Sequence, residues 1–283
     1  MEWVHDMSPQ PERSVLITGC SSGIGEICAF GMRERGWRVF ATARKKEDIA
    51  RLEKEGFETF YLDYTQARSI AALADAVLKA TDGRLGALFN NGAYGQPGAV
   101  EDLRPDILRA QFEANFFGWH DLTQRLIPAM RSNGGGRIVQ CSSCLGIVSL
   151  SYRGAYNATK FALEGLTDAM RQELAGSGIH VSLIEPGPIE TRFAEHALAH
   201  YKANIDLENS AHREIYAERI KAMEEGGSQR FKLGPEAVLK KLILALESPA
   251  PKPRYFVTTA TWLLEIARRF LRTTTRDRVT AGQ

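Results

Sequence analysis

Short apolar runs recur along the chain, separated by longer stretches of amphipathic period. The runs are residues 14–18, 38–42, 59–62, 87–90, 137–140, 180–184 and 254–257. Each has the length of a strand and is flanked by glycine, asparagine, proline or charge. Between them, residues 47–55, 66–81 and 233–247 place apolar side chains at helical spacing. So do the stretch that opens on a glycine loop and ends near Arg35, and the one that carries Tyr156 and continues over residues 161–174. Residues 105–131 read as one long helix, with Pro128 near its end. Strands and helices alternating at this pace predict an α/β fold. The expectation is a single-domain, doubly wound (Rossmann) parallel sheet of about seven strands with helices on both faces.

Three segments stand outside the alternation. Residues 1–13 are short and polar, with Pro9 and Pro11, and are expected to be a flexible N-terminal segment. They lack the basic start and apolar core of a signal peptide. Residues 189–232 carry Phe193, Tyr201, Tyr216 and Met223 among many charges, which predicts one or two amphipathic helices forming a substrate lid. Residues 258–283 hold Trp262, Leu263, Ile266 and Phe270 beside Arg268, Arg269 and Arg272. This reads as a basic amphipathic helix and tail. It can pack on its own domain, on a second subunit, or lie on an anionic membrane surface. The main domain is then residues 14–257.

Composition narrows little. The 36 basic and 34 acidic residues leave a net charge of +2, which offers no case for nucleic acid. No run of about twenty apolar residues is present to span a membrane. The four cysteines lack zinc-site spacing. Cys141 and Cys144 bracket Ser142 and Ser143 at a strand end rather than opening a redox helix, so packing residues in a reducing, cytoplasmic setting are expected. His196 and His200 are spaced for one helix face but lack the glutamate of a zinc motif, so no metal site is expected.

The candidate chemistry lies at strand ends. The loop after the first strand presents Gly19, Ser21, Ser22, Gly23, Ile24 and Gly25, in the spacing G-x-x-x-G-x-G. Such glycines allow a tight turn and close approach of a phosphate, and the following helix start offers free N–H groups to a pyrophosphate. At the end of the second strand, an acidic residue would take the ribose hydroxyls of NAD. Arg44 and Lys45 stand there instead, which suits the 2′-phosphate of NADP. Asp63, after the third strand, is placed to accept from the adenine amino group. Tyr156 and Lys160 are four apart on one helical face, with Ser143 at the preceding strand end. A phenol, an ammonium and a hydroxyl converging there suit proton exchange with a substrate oxygen.

Together these motifs resemble the short-chain dehydrogenase/reductase family, over residues 14–257. The glycine loop is similar to its cofactor motif, and Tyr156-x-x-x-Lys160 to its catalytic pair. Ser143 matches its serine, and Asn115 the asparagine that completes its tetrad. Pro186, Gly187, Ile189 and Thr191 resemble its nicotinamide-side loop. The family's Asn-Asn-Ala-Gly reads here Asn90-Asn91-Gly92-Ala93, the last two residues exchanged; both are small, so the turn that sets Asn90 against the cofactor is expected to survive. Residues 184–193 and 231–238 look most like bacterial NADP-dependent reductases of aldehydes, with retinol-, hydroxysteroid- and acyl-dihydroxyacetone-phosphate-type enzymes as relatives. The resemblance implies NADP(H) as cofactor, a lipophilic carbonyl or alcohol as substrate, and a homo-oligomer. It implies Tyr156 as the proton donor, Ser143 holding the oxygen, and Asn115 ordering a water behind Lys160. Lys160 is expected to lower the Tyr156 pKa and to hold the nicotinamide ribose. A catalytically silent NADP-binding sensor on the same fold would keep the glycine loop and lose Tyr156, Lys160 or Ser143; all three are present.

Overall fold

Strands β1 (Ser14–Ile17), β2 (Arg38–Ala43), β3 (Glu58–Tyr61), β4 (Ala87–Asn90), β5 (Gly136–Cys141), β6 (Ile179–Glu185) and β7 (Arg254–Phe256) lie in one sheet. Their order is β3-β2-β1-β4-β5-β6-β7, and every neighbouring pair is parallel. The structure is a computed structural model, and it describes residues 12–226 and 231–280. Most of the expected N-terminal segment, four residues of the lid stretch and the last three residues lie outside the described part. All residues of β1 and β4 are buried, as strands covered on both faces must be. The expected doubly wound parallel sheet is what the chain forms.

Chain order reverses between β1 and β4, which are neighbours in the sheet. Connections from β1 run outward to β3, and those from β4 run outward to β7. The loops leaving β1 and β4 therefore part, opening a crevice beyond their carboxyl ends. Helices α1 (Gly23–Glu34), α2 (Lys46–Lys54) and α3 (Ala67–Ala80) fall where the apolar period places them. The expected long helix does not form as one piece. It is α4 (Pro105–Phe112), a π-helical turn over Glu113–Phe117, and α5 (Gly118–Ser132). A π turn adds residues without breaking the apolar stripe, so periodicity alone does not show it. Asn115 sits in that turn, fully buried.

Helix α6 (Gly154–Glu173) follows β5 through a 3₁₀ turn at Cys144–Gly146. The stretch expected to be a lid contains two helices, α7 (Phe193–Asn204) and α8 (Arg213–Glu224). They close over a second small core of Ala99, Tyr201, Ile205 and Tyr216, separate from the core on the sheet. Helix α9 (Glu236–Glu247) starts three residues later than the apolar period suggests. Leu233 is drawn away by a bridge to Ile189, which ties the two ends of the lid together. The C-terminal stretch forms α10 (Thr259–Phe270) and then a separate α11 (Thr273–Thr280), broken at Leu271 where the backbone is extended. Thr258 caps α10 by accepting the Thr261 N–H at 3.2 Å. Helix α10 buries Thr261 and Glu265 and leaves Trp262, Leu263, Ile266 and Phe270 exposed. Among the described residues no helix is long and apolar enough to cross a membrane.

Candidate active site

The loop from β1 to α1 is held by backbone geometry that only glycine allows. Gly19 adopts φ +71°, and a Cβ on it would lie 2.6 Å from the Gly92 Cα. A Cβ on Gly25 would lie 2.2 Å from the Gly19 carbonyl oxygen, inside van der Waals contact. The end of β4 clamps the loop from the other side. The Asn91 backbone N–H donates to Thr18 Oγ1 at 2.8 Å, and its side chain donates to the Thr18 carbonyl at 2.9 Å. Gly92 faces Gly19 so closely that a Cβ there would stand 3.3 Å from the Gly19 Cα. The exchanged Gly92-Ala93 order thus puts the residue without a side chain at the tightest point. The resulting cradle opens on the start of α1 and fits a pyrophosphate.

Across the crevice, β5 ends at Cys141 and delivers Ser143. Its hydroxyl accepts the Leu145 N–H at 3.1 Å, which caps the 3₁₀ turn and fixes the side chain. Helix α6 then brings Tyr156 and Lys160 to the same place. Lys160 is 1 % exposed, and its ammonium donates to the Cys141 carbonyl at 2.7 Å. It lies 4.4 Å from the Trp119 ring and 5.5 Å from the Tyr156 ring. Burial pushes its pKa down to about 8. Tyr156 is half-buried and meets Phe193 of the lid edge-on, with ring centres 5.4 Å apart. Burial holds the Tyr156 phenol well above its usual range, against the Ser143 hydroxyl and the Arg153 charge, which pull it down. The expected lowering by Lys160 does not decide the phenol's state in the chain by itself. The ammonium is spent on the Cys141 carbonyl, and desolvation prevails.

These groups line one cleft of about 490 Å³. Residues 13–202 match the description of the short chain dehydrogenase family. The chain belongs to this family. It is an oxidoreductase of that kind, and the family's cofactor is a nicotinamide dinucleotide. It is 43% identical over 272 residues to the "Uncharacterized oxidoreductase YbbO" of Escherichia coli strain K12, covering 96% of this chain and 95% of that one. It is 33% identical to the human "17-beta-hydroxysteroid dehydrogenase type 1", over 86% of this chain and 77% of that one. The crystal structure of a short-chain dehydrogenase from Streptomyces avermitilis superposes with a TM-score of 0.77 at 28% identity, covering 96% of both chains.

In this short-chain dehydrogenase, Gly19, Ser21, Ser22, Gly23 and Ile24 line the same cleft as Ser143, Tyr156 and Lys160. Pro186, Gly187, Ile189 and Thr191, which precede α7, line it too. Gly25 packs behind the loop. Arg44 and Lys45 are exposed beyond the end of β2. Asp63 is drawn onto its own turn, accepting from the Thr65 N–H at 3.0 Å, the Thr65 hydroxyl at 2.8 Å and Gln66 at 3.0 Å. Burial would raise its carboxyl, but these bonds and the Arg44 charge hold it below the usual range. Asn90 is fully buried and points into the core, accepting from the Tyr64 hydroxyl at 2.8 Å and donating to Thr123 at 2.9 Å. Its neighbour Asn91 takes the place at the cleft. The Asn115 side chain holds the Tyr94 backbone at both ends, donating at 2.7 Å and accepting at 3.2 Å.

The four cysteines are free and buried. Burial pushes the Cys141 and Cys144 thiols up to about 11 and Cys20 up to about 12, so they rest as thiols and pack. His200 stacks on Tyr94 at 4.3 Å, and His196 reaches the cleft. Asn91, Arg153 and Lys232 line the cleft without having been singled out. A signal existed for Arg153: it is a cation one helical turn before Tyr156.

Proposed function

We propose that the chain is an NADP(H)-dependent reductase of a lipophilic aldehyde or ketone. The observation that carries this is the meeting of Ser143, Tyr156 and Lys160 in one cleft with the glycine cradle. The catalytic domain is residues 14–257, with residues 189–232 as the lid. When bound in the cradle, the dinucleotide supplies the hydride. Tyr156 gives its phenolic proton to the substrate oxygen as general acid. Its raised pKa suits reduction, because the phenol arrives protonated. Ser143 donates a hydrogen bond to the same oxygen, and Lys160 holds the nicotinamide ribose. Asn115 fixes the wall at Tyr94. Pro186, Gly187, Ile189 and Thr191 flank the nicotinamide side.

Arg44 and Lys45 support NADP over NAD. They stand exposed at the end of β2, with no carboxylate at that position, and suit a 2′-phosphate. Asp63 and the turn at Asn90 border the adenine side. The wild-type enzyme should prefer NADPH to NADH by at least roughly tenfold in kcat/KM, and Arg44→Ala should erase most of that. Equal use of both cofactors by the wild type would overturn this choice. The apolar wall of Leu145, Leu150, Phe193 and Met223 supports a lipophilic substrate.

The same reading makes the protein a cytoplasmic homo-oligomer with a peripheral membrane contact. The exposed apolar side of α10 is the contact surface, with Trp262, Leu263, Ile266 and Phe270 outward. Arg268 and Arg269 are tied to Glu265 at 2.8 and 2.5 Å. Flotation with anionic vesicles should carry the protein up, and the Trp262→Ser, Phe270→Ser double variant should remain below. If both remain below while sedimentation shows a dimer that the double variant loses, the surface belongs to a second subunit.

A further inference from the structure

At the lid end of the cleft, Arg153 stands without an acidic partner. It lies three residues before Tyr156, and its backbone bridges to Gly98 beneath the lid core. Its charge acts on the phenols of both Tyr156 and Tyr201. Among the described residues no carboxylate pairs with it, and no aspartate or glutamate lines the cleft. Arg192, also in the lining, is tied to Glu195 at 3.1 Å. Arg219 lies over the Tyr152 ring at 4.4 Å and adds like-charge repulsion to Arg153. Tyr201 is 1 % exposed, and its hydroxyl lacks a hydrogen-bond partner among the described residues.

Arg153 is half-buried where it lines the cleft, and a guanidinium in a partly desolvated wall is favoured by a counter-charge. Here burial and Arg219 both oppose its charge, and no carboxylate of the described chain offsets them. The cofactor's phosphates do not answer for it either. Their cradle abuts Thr191 and Gly92, whereas Arg153 abuts the lid core. A counter-charge carried by what enters the substrate end would meet it there.

We infer that Arg153 is a specificity-determining residue that holds an anionic oxygen group of the carbonyl substrate, a carboxylate or a phosphate ester. The guanidinium fork matches either group with two parallel hydrogen bonds. Leu145, Leu150 and Phe193 cover the carbon chain between that group and the reacting carbonyl. The substrate is then an amphiphilic anion rather than a neutral lipid. This rests on the reductase reading above.

The test compares wild type, Arg153→Gln and Arg153→Lys with NADPH against four aldehydes of one chain length. These are an ω-oxo fatty acid, its methyl ester, an aldehyde bearing a terminal phosphate monoester, and its neutral dimethyl ester. The wild type should favour an anion over its neutral ester by roughly tenfold or more in kcat/KM, carried mainly by KM. The ratio should fall to about one in Arg153→Gln and be partly kept in Arg153→Lys. Whichever pair shows the larger ratio identifies carboxylate or phosphate. Calorimetric titration of the NADP-loaded protein with an alkyl carboxylate and an alkyl phosphate, beside the alkyl alcohol, reads the same site without turnover. A wild-type ratio near one, or a ratio unchanged in Arg153→Gln, overturns the inference. Absence of turnover with every aldehyde overturns the reductase reading instead, and anion binding lost in Arg153→Gln would still support the anion site.

Discussion

Tyr156 shows how environment sets the role of one side chain. A phenol titrates near ~10 in water, and burial in this cleft moves it higher. It is therefore protonated at neutral pH, the form that the proposed carbonyl reduction needs. Tyr156→Phe removes the donated proton and little volume. Turnover should fall by roughly a hundredfold to ten-thousandfold, while NADPH binding followed by fluorescence stays close to wild type. Retained turnover would sink the assignment. Ser143 was legible as a candidate from its place after an apolar run. Its orientation was not, because that depends on the Leu145 N–H two residues on. The inward turn of the Asn90 side chain was not legible for a related reason. At the end of a strand, neighbouring residues leave the sheet in different directions. Only the packing of Tyr64 and Thr123 shows that Asn90 turns inward and Asn91 to the cleft.

At the scale of elements, charge pairs fasten helix ends to the sheet. Glu247, the last residue of α9, accepts from Arg13, Arg35 and the Trp37 indole, joining α9 to both flanks of α1 and β1. The bond with Arg35 holds its carboxyl down to about 2, from an ordinary 4.5. A carboxyl lowered on folding adds stability that is complete above the unfolded pKa and is lost as pH falls through the folded one. Its contribution should disappear between about pH 4.5 and 2. Glu247→Gln should lower the thermal midpoint at pH 7 and differ least from wild type near pH 2. An equal difference at both pH values would refute this. The π turn at Glu113–Phe117 was the element least visible beforehand. It is settled by Asn115 bonding to Tyr94, twenty-one residues away.

Across the whole molecule, Arg254 of β7 joins elements far apart in sequence. It bonds to Glu164 of α6, to Asp168 of α6 at 2.5 Å and to Glu185 of β6 at 2.7 Å. This cluster sits behind α6, which carries Tyr156 and Lys160, and keeps it on the sheet. Removing the cation leaves Glu164 and Glu185 buried and unpaired. Arg254→Leu should destabilise the fold, read as a lower urea midpoint with an unchanged slope. Burial and its neighbour Glu164 push the Glu185 carboxyl up to about 8, despite Arg254. A carboxyl raised on folding gives stability that is present below the unfolded pKa and lost as pH rises through the folded one. Stability should therefore decline between about pH 4.5 and 8, and Glu185→Gln should flatten that decline. A decline of the same size in Glu185→Gln would assign it to other groups.

What the sequence by itself determined is what depends on near neighbours along the chain. The seven strands, most helices between them, the glycine loop and the Tyr156–Lys160 pair were readable, since apolar period and i to i+4 spacing are local properties. Tertiary structure alone decided which polar groups face the cleft and which are spent on the protein itself. Asn90 and Asn115 went to internal bonds, Lys160 took the Cys141 carbonyl, and Arg153 was left unpaired at the lid. The reason is that a buried polar group must find its partner in space. Those partners stand roughly twenty to thirty residues away, beyond the reach of any local pattern.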